Sequence, residues 1–144
     1  MDHLAILSPK YHYLPKILSG QKSIESRWYK FRTAPWNRIQ AGDTVYFKDS
    51  GKLVTHKAIV SQVLQFDHPS PAQLHQIVVK YGRQITANNL DVDEFFNSVA
   101  DKNYIILLFL INPQNIKPFK INKSGFGSGC AWISIPDIRK ITVY

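Results

Sequence analysis

The sequence has little cysteine, no long apolar run and no signal-peptide pattern in its first residues. A single cysteine, Cys130, excludes a framework of intramolecular disulfides. The longest apolar run, from Tyr104 to Ile111, is far shorter than the ~20 residues that a membrane-spanning helix needs. The first residues, M-D-H-L-A-I-L, include an acid and lack the pattern of a signal peptide. We therefore expect a cytoplasmic protein without a membrane partner.

Glycine and proline are also few, and they are scattered along the chain. There are 7 glycines and 8 prolines in 144 residues, and they form no linker or low-complexity stretch. Hydrophobic residues make up 44% of the chain. A chain of this length can bury roughly two-thirds of its unfolded surface in one core. We predict one domain over residues 1–144.

Acidic residues are scarce relative to basic ones. The chain has 18 Lys and Arg against 10 Asp and Glu, a formal net charge of +8. The excess of positive charge lies in residues 10–48 and 102–140, whereas residues 51–100 are balanced. Such a charge balance is typical of proteins that bind nucleic acid, although it can also be incidental. We expect RNA or a nucleotide-like ligand as the partner.

Hydrophobic periodicity predicts an α+β fold. A short helix ends at Gly20, a second helix begins at the capping box of Ser70 and Gln73, and a third begins at Asp91. Strict alternation of strand and helix is absent, which disfavours a parallel doubly wound sheet. We predict a mostly antiparallel, barrel-like sheet with flanking helices. The predicted strands are residues 4–7, 23–28, 44–48, 54–66, 104–111, 116–121, 131–135 and 138–143.

The segment G-Q-K-S-I-E-S-R-W, residues 20–28, places several charges inside an apolar strand pattern. On a strand, Ile24 and Trp28 point to one face, and Glu25 and Arg27 point to the other. Lys22 lies in the turn just before them. The charges can form one polar network around a ligand. They can equally be a surface ion pair on an edge strand, with little effect on stability or function.

The pattern G-x-K-x-x-E-x-R, formed by Gly20, Lys22, Glu25 and Arg27, resembles the signature of the ASCH superfamily. The segments A-G-D-T-V-Y-F and G-F-G-S-G-C-A-W-I resemble two further parts of that family's sequence. The resemblance covers most of the chain. It implies a PUA-like β-barrel whose motif residues line a cleft for RNA or a nucleotide-like ligand.

The resemblance leaves the activity open between binding and hydrolysis. ASCH proteins include nucleic-acid-binding modules, proposed nucleases and amidohydrolases that act on N4-acetylcytidine. In the amidohydrolases the motif lysine acts with a threonine three positions later and a glutamate from mid-chain. Only the lysine carries over, to Lys22, because Glu25 stands in the threonine's place and no carboxylate lies between Asp67 and Asp91. We therefore favour binding, with a hydrolase that uses Lys22 and Glu25 as catalytic residues as the alternative.

An aromatic loop residue and a glycine-rich loop extend the expected binding cleft. Trp36 lies between Arg32 and Arg38, which suits stacking on a base, although Trp36 can equally close the end of the barrel. The G-F-G-S-G loop lacks the spacing of a dinucleotide fingerprint, but its backbone can hold a phosphate. The expected ligand-contacting residues are Lys22, Glu25, Arg27, Trp36, Lys120, Lys123, Ser124, Gly125 and Ser128.

The histidines and the cysteine give no sign of a metal site. The five histidines have no i, i+3 or i+4 spacing and no cysteine partner. Cys130 can be a nucleophile after the glycine-rich turn, but its position before an apolar strand favours a small core residue. We expect neither a metal nor a cofactor.

Overall fold

A computed structural model describes residues 1–87, 90–127 and 129–144 of the chain. Within these ranges lie seven strands, three α-helices and two 3-10 turns. The strands are β1 (Asp2–Leu7), β2 (Ile24–Tyr29), β3 (Thr44–Asp49), β4 (Val54–Asp67), β5 (Tyr104–Ile121), β6 (Trp132–Ile135) and β7 (Thr142–Val143). The helices are α1 (Tyr13–Ser19), α2 (Pro71–Thr86) and α3 (Val92–Val99), and the 3-10 turns are Pro9–Tyr11 and Ile138–Lys140.

The strands form one strongly curled sheet, a half-barrel, in the order β2-β5-β4-β3-β1-β6, and β7 pairs with β5. The pair β1 and β3 is parallel, and the other pairs are antiparallel. The predicted α+β class and the mostly antiparallel, barrel-like sheet are therefore confirmed. No helix within the described ranges is long and apolar enough to cross a membrane.

The helix boundaries follow from local chemistry. Helix α1 ends at Gly20, whose φ of 84° is in the left-handed region that glycine adopts at no steric cost. Ser70 Oγ accepts the backbone N–H of Gln73 and the Gln73 side chain accepts that of Ser70, a complete capping box for α2. Asp91 caps α3 by accepting the N–H of Glu94 at 3.0 Å. All three predicted boundaries are confirmed.

Two predicted strand boundaries are wrong. Residues 104–121 form one long strand, β5, instead of two. Asn112 takes a φ of 52°, and the register against β4 shifts there without the strand ending. Pro113 and Pro118 are tolerated because, among the described strands, only β4 pairs with this part of β5. Residues 138–143 form a 3-10 turn and the two-residue β7, since Asp137 caps the turn by accepting the N–H of Arg139.

The two faces of the sheet pack against different helices. The inner face holds a buried cluster around Phe47, Ile106 and Leu108, which α1 covers with Leu14 and Ile17. The outer face holds a second cluster, in which residues of α2 and α3 pack on side chains of β2, β4 and β5. Strand β2 contributes to both faces, so its alternation decides which of its side chains enter the half-barrel.

Candidate ligand-binding site

Strand β2 turns Glu25 and Arg27 into the half-barrel. Glu25 pairs with Leu108 and Arg27 pairs with Ile106, and both partners belong to the inner cluster. The side chains of Arg27 and Glu25 are only 13% and 6% exposed. The alternation predicted for this strand is therefore present, and the charged pair lies in the interior instead of on the surface of an edge strand.

The ion pair of Glu25 and Arg27 leaves hydrogen-bonding capacity unused. Arg27 Nε lies 3.7 Å from Glu25 Oε1, which is an ion-pair distance but too long for a hydrogen bond. Glu25 Oε1 instead accepts the N–H of Ser26 at 3.1 Å. Among the described residues, neither the buried Glu25 Oε2 nor the buried Arg27 Nε has a hydrogen-bond partner. Because an unpaired buried polar atom costs free energy, these two atoms favour a ligand that offers both a donor and an acceptor.

Three aromatic side chains surround this ion pair. The guanidinium carbon of Arg27 lies 5.1 Å from the centroid of the Trp132 ring. Burial raises the pKa of Tyr13, and the negative charge of Glu25 raises it further. Burial also raises the pKa of Tyr29, although the charge of Arg27 opposes this shift. We call Tyr13, Glu25, Arg27, Tyr29 and Trp132 together the interior site.

Lys22 is buried beside the interior site but is fully occupied by protein contacts. The residue is 2% exposed, and its ammonium donates to the carbonyl of Ile24 at 2.8 Å and to the carbonyl of Ile85. Its Nζ also lies 4.4 Å from the centroid of the Tyr13 ring. Burial lowers the pKa of Lys22, and the charge of Glu25 opposes that shift. Since Ile85 lies in the last turn of α2, Lys22 joins the carbonyl end of that helix to β2.

Trp36 lies between the apolar core and the surface. Its ring packs edge-to-face on Tyr104 with centroids 5.0 Å apart, at the margin of the inner cluster. It also lines a surface cavity of about 410 Å³ together with Arg32 and Arg38. Its Nε1 is buried without a hydrogen-bond partner among the described residues. Trp36 thus closes one end of the barrel and contributes to a basic surface there.

The glycine-rich loop lies close to the interior site through its second half. Lys123 Nζ donates to the carbonyl of Cys130 at 2.9 Å, and Cys130 Sγ donates to the carbonyl of Trp132 at 2.9 Å. The N–H of Ser124 donates to Asn122 Oδ1 at 2.9 Å, and Gly125 has a φ of 89°. The expected contact from Ser128 falls outside the described residues.

Two expectations about this region differ from the structure, one of them only in part. Lys120 pairs with Val143 and lines a separate cavity of about 710 Å³ with Tyr46 and Tyr144. The structure therefore does not bring Lys120 to the motif residues. Cys130 packs against a buried apolar cluster around Leu4 and Ile133, as its context indicates, but it is only half-buried and also lines a surface cavity.

A buried histidine and aspartate form a second polar cluster that spacing did not reveal. His3 Nε2 and Asp43 Oδ2 are 2.9 Å apart, and His3 Nδ1 lies 2.9 Å from Ser134 Oγ. Trp132 Nε1, which can only donate, lies 3.3 Å from His3 Nδ1, so Nδ1 accepts and Nε2 carries the proton toward Asp43. Burial lowers the pKa of His3 against the influence of Asp43. Burial acts to raise the pKa of Asp43, but the hydrogen bonds from His3 and from the backbone N–H of Gln40, together with the positive charge of the N-terminus, outweigh it, and the net shift is downward.

Comparison with solved structures identifies the fold. A crystal structure of ASCH from Zymomonas mobilis matches with a TM-score of 0.64 at 15% identity, covering 99% of this chain and 96% of that one. A mutant of the same protein matches with a TM-score of 0.64 at 17% identity over 96% and 93% of the chains. The N-terminal domain of Staphylothermus marinus McrB matches with a TM-score of 0.52 at 11% identity over 93% and 87%. No protein-family model and no curated protein matches the sequence. The chain therefore has the ASCH, PUA-like fold.

Proposed function

We propose that this protein binds nucleic acid and receives one base in the interior site. The observation that carries the proposal is the pair of unpartnered atoms, Glu25 Oε2 and Arg27 Nε, buried side by side within the described part of the chain. A natural fold usually satisfies such atoms, so those left unsatisfied need an explanation, and a ligand that pairs with both provides one. Glu25 Oε2 can only accept a hydrogen bond, and Arg27 Nε can only donate one.

The edge of a nucleobase offers the complementary arrangement. Adenine and cytosine each place an amino donor beside a ring-nitrogen acceptor. The carboxylate of Glu25 can accept from the amino group while Arg27 Nε donates to the ring nitrogen. Tyr13, Tyr29 and Trp132 place aromatic rings around the polar pair, and in this proposal one of these rings turns a face to the base, as in RNA-binding proteins that stack single-stranded bases.

The charge of the whole chain supports a polyanionic ligand. A net charge of +8 attracts nucleic acid from a distance and favours contacts with its phosphates. Arg32 and Arg38, which share a surface cavity with Trp36, place basic groups where a nucleic-acid strand that leaves the half-barrel can contact them. The polar pair then supplies selectivity, and the basic surface supplies affinity.

No contact favours the alternative of a hydrolase over binding. A catalytic lysine needs an amine that is available to its substrate, whereas the ammonium of Lys22 already donates to the carbonyls of Ile24 and Ile85, unlike the unpartnered atoms of Glu25 and Arg27. Its role in this geometry is to fasten α2 to β2. We accordingly propose a binding function without turnover.

The test compares affinities for short labelled single-stranded RNA and DNA by fluorescence anisotropy. Arg27→Met removes the donor but keeps much of the side-chain volume, and Glu25→Gln removes the charge with little change of shape. Lys102→Met is the matched control, because Lys102 contacts Asp101 away from the interior site. We expect Arg27→Met to weaken binding by about tenfold or more, since hydrogen bonds to charged groups contribute roughly 1.5–3 kcal/mol.

Two results would contradict the proposal. The first is an equal loss of affinity in Arg27→Met and Lys102→Met, which would leave only non-specific attraction by charge. The second is turnover of N4-acetylcytidine or RNA by the wild type, followed by mass spectrometry, that disappears in Lys22→Met while the variant stays folded. Thermal melting of each variant separates loss of binding from loss of structure.

A further inference from the structure

A cavity of about 440 Å³ lies at the ends of strands β1 and β3. The parallel strands β1 and β3 both end there, and the residues that follow them, Ser8 and Ser50, line the cavity. The N–H of Ser50 donates to the carbonyl of Leu7 at 2.8 Å, which holds the two strand ends together. Two hydroxyl groups therefore lie at the same opening.

The opposite wall of this cavity carries a lysine. Lys123, Gly129 and Cys130 line it, and the half-buried Lys123 donates one of its three N–H groups to the carbonyl of Cys130. Two donors of Lys123 remain. Within the described residues, Lys123 forms no salt bridge with a carboxylate.

A second lysine, Lys48, lies on β3 beside the wall of this cavity. Lys48 pairs with Ile6, which lines the wall, and Lys48 likewise forms no salt bridge within the described part of the chain. Burial lowers the pKa of Lys48, and the positive charge of Lys123 lowers it further. The neighbouring Asp49 points to the other face of the strand, where its charge acts on His56. The two lysines thus lie close enough for their charges to interact, and neither forms a salt bridge with a carboxylate of the described residues.

We propose that Lys48 and Lys123, with the hydroxyls of Ser8 and Ser50, form a binding site for a phosphate group. A phosphate relieves the repulsion between the two ammonium groups and accepts charge-assisted hydrogen bonds from both. The serine hydroxyls can donate to its remaining oxygens. This site uses no residue of the G-x-K-x-x-E-x-R motif. It includes Lys123 but not Lys120, although both lysines were expected to contact the ligand.

The assignment of this phosphate to a nucleotide rests on the proposed function. Cys130 lines the cavity and Trp132, two residues later in the chain, lies against Arg27, so at most roughly 7 Å of chain joins the cavity wall to the interior site. One nucleotide can span such a distance with its base in the interior site. The phosphate is then the one attached to the sugar of that base.

The first experiment titrates isotope-labelled protein with inorganic phosphate at constant ionic strength and follows backbone amides by NMR. Saturable shifts are expected at Ser8, Ser50 and Gly129, and they should vanish in the double variant Lys48→Gln/Lys123→Gln. The matched control is Lys80→Gln/Lys102→Gln, which removes the same charge elsewhere and should keep the shifts. Absent or non-saturable shifts in the wild type, or equal loss in both double variants, would overturn the site.

The second experiment identifies the source of the phosphate. Calorimetry compares a nucleoside with its 5′-monophosphate, and we expect the monophosphate to bind the wild type about tenfold more tightly. That gain should disappear in Lys48→Gln/Lys123→Gln. If inorganic phosphate binds but the monophosphate gains nothing, the assignment to a nucleotide is wrong. If Arg27→Met leaves nucleoside binding unchanged while the phosphate gain persists, the proposed base site fails and the phosphate site stands.

Discussion

At the scale of single residues, burial separates the roles of three charged neighbours. Lys22, Glu25 and Arg27 are all largely buried. The ammonium of Lys22 is satisfied by two carbonyls and an aromatic ring, whereas one polar atom each of Glu25 and Arg27 lacks a partner among the described residues. This difference supports the proposal that Lys22 serves the fold and that Glu25 and Arg27 serve a ligand.

The variant Lys22→Met tests this division. It leaves the carbonyls of Ile24 and Ile85 without their buried donor, so we expect the free energy of unfolding to fall by about 1–3 kcal/mol. Urea unfolding measures the change. The affinity of the folded variant for RNA should stay within a few fold of wild type. Unchanged stability combined with lost binding would show instead that Lys22 contacts the ligand.

The buried His3 makes stability depend on pH. Its pKa is lowered from 6.5 in the folded protein, so the unfolded chain binds more protons as the pH falls below about 6.5. We expect the free energy of unfolding to decrease from that pH downward, and His3→Gln to reduce this dependence. A smaller slope should remain because burial also lowers the pKa of His56. His12→Asn, at an exposed left-handed position, is the control, and an equal slope in His3→Gln and wild type would contradict the account.

At the scale of elements, short sequence motifs predicted the helix ends, because contacts within a few residues determine where a helix begins or ends. Gly20, Ser70 and Asp91 mark helix ends because caps form within a few residues. The position of the Lys22 ammonium depends on Ile85, 63 residues away, and the partner of His3 is 40 residues away. Such contacts leave no periodic signal. The alternation of side chains along β2 correctly predicted that Glu25 and Arg27 share a face. Only the curl of the sheet shows that this charged face is enclosed.

The capping box of α2 provides a prediction at this scale. Ser70→Ala removes the acceptor for the N–H of Gln73 and should lower the free energy of unfolding by about 1 kcal/mol. Gln76→Ala, at an exposed position of the same helix, should be close to neutral because alanine favours helix. Chemical denaturation of both variants measures the difference. Equal stabilities would mean that the cap contributes nothing to the fold.

At the scale of the whole molecule, the excess of positive charge should make nucleic-acid binding salt-dependent. The logarithm of the RNA affinity should fall linearly with the logarithm of the salt concentration, by about 0.7 per phosphate contacted on a single strand. Lys48→Gln/Lys123→Gln should reduce the slope, since it removes one phosphate contact. Arg27→Met should weaken binding at every salt concentration with little change in slope, because Arg27 contacts a base, not a phosphate, in the proposed site. Identical slopes and affinities for the two variants would contradict this division of labour.

The most direct measurement is the structure of the protein in complex with a nucleoside 5′-monophosphate. The account predicts the edge of the base within hydrogen-bonding distance of Glu25 Oε2 and Arg27 Nε, the two atoms that lack a partner within the described residues. It also predicts the phosphate between Lys48 and Lys123. A nucleotide bound instead in the cavity beside Lys120, with the interior site unoccupied at saturating ligand, would contradict the central claim.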